Sequence, residues 1–66
     1  MAQTVRHQLI RAADSSLNAL IRLDQNLMKM DLLANGRQPA IEELKDVLVQ
    51  GHEQLRVLWQ ALRDQL

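Results

Sequence analysis

The chain has 66 residues, no cysteine, and eight acidic against eight basic side chains, for a formal charge of zero. That length supports one small domain of marginal independent stability; without disulfides or a metal cluster, stability must come from helix packing or association. Zero net charge argues against a strong non-specific nucleic-acid binder, a single Trp without Phe or Tyr excludes an aromatic base-stacking platform, and no apolar run approaches the roughly 18 residues of a membrane span.

The N-terminus lacks a basic-then-apolar leader pattern. Absence of cysteine is compatible with a reducing compartment. Both point to the cytoplasm as the expected location.

The first element is a helix over about 4–34. Thr4 is placed to cap it, since its hydroxyl can accept a backbone N–H. At about 100° per residue, Leu9, Ala13, Leu20, Leu23, Leu27, Met30 and Ala34 share one side. Ile10, Leu17, Ile21, Met28 and Leu32 form a second seam beside them. Arg11, Ser15, Asn18, Arg22, Gln25, Asn26 and Lys29 occupy the opposite side, a sharp amphipathic division. Asp14-Ser15-Ser16 is the weak point, because these side chains compete for backbone hydrogen bonds. A separate short helix ending near Ala13 is the alternative, but the apolar spacing passes through the triplet without a change of phase, which favours one helix.

A turn follows at 35–38. Asn35 and Gly36 tolerate the left-handed conformation that ends a helix. Pro39, with fixed φ and no N–H, suits the first turn of the next helix, where Glu42 and Glu43 complement the helix dipole. This second helix runs over about 39–65. Ile41, Leu44, Leu48, Gly51, Leu55, Leu58 and Leu62 alternate by three and four, the spacing of a coiled-coil seam. Trp59 lies at its edge. Gly51 stands where a larger residue is expected, either for a close helix approach or as a tolerated packing defect. Two arms of roughly 28–30 residues joined by a short loop make an antiparallel hairpin about 42–45 Å long.

The two arms differ in apolar width. A lone hairpin covers the narrow stripe of the second helix but not the wide face of the first. The spacing predicts that Leu9, Leu20, Leu23 and Leu27 pack on the second helix. Ile10, Leu17, Ile21 and Met28 are then left for a partner, with Met28 adapting to irregular surface. Asp24 falls inside the apolar arc, where a carboxylate must be solvated, protonated or paired; it is a candidate to meet a partner's cation and set register. Asp31 and Arg6 interrupt the same arc nearer the helix ends. Trp59 is a candidate interface anchor.

The second helix also carries an acidic line, Glu42, Asp46, Glu53 and Asp64, and a basic line, Lys45, Arg56 and Arg63, whose plain reading is a solvated face. Arg11, Arg22 and Lys29 line the outer face of the first helix and are the one candidate nucleic-acid face. His7 and His52 lie too far apart in the hairpin to share a metal. Ser15 and Ser16 have no activating base nearby. No catalytic site, cofactor, metal or small-molecule substrate is expected.

The overall length, the long hairpin, and Leu33-Ala34-Asn35-Gly36 leading into a Leu-rich helix resemble the small co-chaperone subunits of type III secretion systems. The resemblance spans most of the chain and is architectural. It implies a cytoplasmic hairpin that joins a second chaperone to hold an aggregation-prone needle subunit. Small plasmid and phage regulators that dimerise into four-helix bundles share the outline. The expectation is therefore an all-α hairpin over 1–66 that completes a four-helix or similar bundle, by self-association or with a protein partner. Its class is an adaptor or small co-chaperone, with a homodimeric regulator as the alternative.

Overall fold

The computed structural model describes residues 4–66. Helix α1 spans Val5–Ala34 and helix α2 spans Pro39–Asp64. The two form an antiparallel hairpin, 53 Å long, 21 Å wide and 11 Å deep by its Cα extents. The all-α hairpin expected from the sequence is the fold.

Each end of α1 has a local cause. The Thr4 hydroxyl accepts the His7 N–H at 3.2 Å, satisfying one of the donors a helix start leaves over. Asn35 takes left-handed φ of 49° and its N–H reaches the Asp31 carbonyl. Gly36 follows at φ 74°, a conformation glycine adopts without a Cβ penalty. Pro39 opens α2, and Gln38 at its cap position makes no side-chain cap bond. The α1 helix runs unbroken through Asp14-Ser15-Ser16, so the short separate helix ending near Ala13 is not formed. Ser16 Oγ spends its hydrogen bond on the Ala12 carbonyl at 3.1 Å, and the helix tolerates it.

The buried residues are Ala13, Leu20 and Leu27, seven apart, and they mark the inward line of α1. Half-buried Ile10, Leu17, Asp24 and Asp31 lie three residues before each member of that line or of its extension to Ala34. On α2 the half-buried Ile41, Lys45, His52 and Trp59, followed by Leu66 just past its end, run at the same three-four spacing with Leu48, Leu55 and Leu62. Polar contacts fix the register: Asp31 with Lys45, Asp24 with His52, and Asp14 with Arg63. At the open end, Arg6 Nε donates to the Leu66 carbonyl at 2.6 Å.

Both helices are thus rotated from the seams that hydropathy alone selects. Of the four leucines expected to pack on α2, Leu20 and Leu27 are buried but Leu9 and Leu23 are about half exposed, and Ile10 and Leu17 enter the hairpin beside them. On α2, Lys45, His52 and Trp59 are half-buried, Leu58 is turned out, and Leu44 is about as exposed as Leu48, Leu55 and Leu62.

Gly51 is not a point of close approach within the chain: a Cβ built there meets no atom within 4 Å. Gly51→Ala should therefore deliver the helix-propensity gain of about 1 kcal/mol with no steric cost. Chemical denaturation measures it; a loss of stability instead would mean that the backbone of another chain occupies the space above residue 51.

Candidate interaction surface

The rotation places much of the unpartnered apolar width on one broad side of the hairpin, while Ile21, Met28 and Leu32 stay exposed on the other. The inward line of α1 is flanked on one side by Leu9, Ser16, Leu23 and Met30, with Val5, Ala12, Ala19, Asn26 and Leu33 beyond them. The same offsets from the inward residues of α2 select Leu44, Gly51 and Leu58, then Ala40, Val47, Gln54 and Ala61. In an antiparallel pair, equivalent offsets fall on the same side. A groove lined by Leu23, Asn26, Leu27 and Met30 of α1 with Leu48 and His52 of α2 joins the two strips. None of the strip positions carries an ionisable group, and His52 reaches the groove from the seam. Leu58 is 65% exposed and Val47 62%, so the strip on α2 is as open as the one on α1.

The opposite side gathers the charges. Asp14 accepts from Arg63 Nε at 3.2 Å across the two helices. Arg56 is held by both carboxylate oxygens of Glu53 on its own helix. Lys45 Nζ lies 3.5 Å from Asp31 and 3.3 Å from Glu42. The basic line of α2 is consequently taken up by partners inside the chain.

Of the candidate partner residues, Ile21 and Met28 are exposed, but on this charged side, away from the apolar face. Ile10, Leu17 and Trp59 are half-buried in the hairpin seam. Asp24 is paired within its own chain: Oδ1 lies 2.6 Å from Nδ1 of His52. An ionised carboxylate only accepts, so the hydrogen sits on Nδ1. The His52 side chain is 14% exposed and the Asp24 side chain 50%, so the pair straddles the edge of the seam.

Arg11 and Arg22 border a shallow depression with Asp14, Ser15, Asn18 and Ile21. Arg22 and Lys29 stand exposed on the back of α1. Asp14, beside Arg11 at one end of this strip, dilutes it as a phosphate track. Among the described residues, no group of three or more His, Asp or Glu side chains is placed to hold a metal ion. No helix there is long and apolar enough to cross a membrane.

Two exposed ion pairs give the surface its pH response. The hydrogen bond from Arg56, and then its charge, hold the Glu53 carboxyl below its usual range. Hydrogen bonding to Glu42, then the charges of Asp31 and Glu42, raise Lys45. A depressed carboxyl contributes stability above its unfolded value and loses it as pH falls through the folded one. A raised ammonium contributes below its unfolded value and loses it as pH rises through the folded one. These pairs therefore leave helicity flat through neutrality and erode it in acid and in strong alkali. Circular dichroism across pH checks this; Glu53→Gln should remove its share of the acid-side decline and leave the alkaline side unchanged.

No family model, curated protein or solved structure matches the chain.

Proposed function

We propose that the chain is a non-enzymatic interaction module, an adaptor or small co-chaperone in class, that completes a helical bundle with helices of a protein partner. One observation carries this reading. A helical hairpin buries only Ala13, Leu20 and Leu27 among its described residues, yet presents a charge-free apolar face along both helices. Soluble chains rarely leave so large a contiguous apolar patch without a use for it.

The binding residues in this reading are Leu9, Leu23 and Met30 of α1 with Leu44 and Leu58 of α2. Met30 supplies the adaptable thioether that Met28 was expected to provide. A co-chaperone of this shape works by lending apolar surface to a partner that aggregates without it. Long helices on both chains give the interdigitation of a four-helix bundle.

The test is the behaviour of the purified chain alone. The reading expects stability that depends on association: either low helicity in isolation or unfolding that shifts with chain concentration. A fully helical monomer with a cooperative, concentration-independent transition would refute it, because such a hairpin needs no partner.

A further inference from the structure

We infer that the partner covering the apolar face is a second copy of this chain, so that two hairpins pack face to face as a closed, two-fold bundle. The inference rests on the interaction-module reading and names its occupant.

The first argument is charge. Every ionisable group of the two helices lies in the hairpin seam, on the opposite side or on the outer backs, and none lies on the strips that follow Leu9 and Leu23 or Leu44 and Leu58; His52 alone borders the groove between them, paired there with Asp24. A face without charge offers nothing to select an acidic or basic partner, whereas an identical face meets it with no like-charge opposition. Self-complementarity of this kind is what a two-fold interface requires.

The second argument is area. The broad side of the hairpin that carries this face measures 53 Å by 21 Å between Cα extremes, and the strips run along both helices on it. That side has room for the roughly 800 Å² per partner of a standard stable interface. Both hairpins would bury leucines that now stand about half exposed, supplying the core that three buried side chains do not. The charged sides, with the Asp14–Arg63 pair and the exposed Ile21 and Met28, would face outward on both surfaces of the assembly.

Sedimentation equilibrium over a range of chain concentrations, with circular dichroism on the same samples, tests this for the wild type, Leu58→Glu and Met28→Glu. The wild type should sediment at twice the 7.6 kDa chain mass. Leu58→Glu should fall to the single-chain mass and lose helicity with it; a residue 65% exposed in the hairpin makes few contacts within its own chain, so that loss reports lost association. Met28→Glu, on the opposite side, should stay dimeric. A dimer that survives Leu58→Glu, or that Met28→Glu dissociates, overturns the assignment of the face. A wild type of single-chain mass at every concentration overturns the second copy. If that monomer is poorly helical, the interaction-module reading stands and the face takes a different protein; if it is fully helical and melts cooperatively, both fail.

Discussion

Leu20→Ala should lower stability by about 2–4 kcal/mol, the range for deleting a buried leucine side chain. Leu32→Ala should stay within about 0.5 kcal/mol, as exposed substitutions do. Both remove the same atoms from the same helix. Leu20 is 5% exposed and central to the inward line, whereas Leu32 is 78% exposed on the charged side. A folded domain of this size has only a few kcal/mol to lose, so Leu20→Ala should leave a large unfolded fraction at ambient temperature. Urea denaturation, with chain concentration held constant so that association does not shift the comparison, gives both values. Equal losses at the two positions would mean that the inward line of α1 is misassigned.

The punctuation of the hairpin was legible in the sequence because it depends on local chemistry. Thr4, Asn35-Gly36 and Pro39 act through their own backbone preferences and nearest neighbours, and they terminate the helices where those preferences place them. The rotation of each helix was not legible from hydropathy. Leucine outranks lysine and histidine on any apolar scale, so Leu44, Gly51 and Leu58 look like a better seam than Lys45, His52 and Trp59. The chain chooses the second set because Asp31 and Asp24 wait across the hairpin for Lys45 and His52.

A signal for this existed. Asp24 and Asp31 are seven residues apart, and so are Lys45 and His52. In an antiparallel pair the later acid meets the earlier base, which is the register observed. Two such polar pairs at matched seam positions determine which side of each helix faces inward. Once they do, the apolar residues one step around both helices are left together on a single face. Ile21 and Met28 are exposed, as the surplus width of α1 predicts, but beside charges, and Leu9, Leu23 and Met30 are exposed with them on the uncharged side. Exposed Leu44 and Leu58 add apolar surface on α2 that a narrow stripe does not predict.

The same pairs make the second large prediction. Replacing both Asp24 and His52 by leucine should stabilise the hairpin by about 1–2 kcal/mol, toward the low end of the gain seen when buried ion pairs become apolar, since Asp24 is half in water. Asp24→Leu alone should gain much less or lose stability, because it leaves Nδ1 of the largely buried His52 without an acceptor. A double-mutant cycle in urea isolates the coupling between the two side chains. The stability gain should come with a loss of definition. A polar pair in an apolar seam penalises every alignment that separates it, as a single buried polar residue does in coiled coils. With leucine at both positions, the Asp31–Lys45 contact, the edge pair Asp14–Arg63 and the Arg6 bond to the Leu66 carbonyl are left to oppose slippage or helix exchange between chains. Sedimentation of the double variant should therefore show a broader range of masses than the wild type. A double variant that is both more stable and confined to the wild-type mass would assign register to the turn and the remaining ion pairs. One that is less stable than the wild type would make Asp24–His52 a net source of stability rather than of specificity.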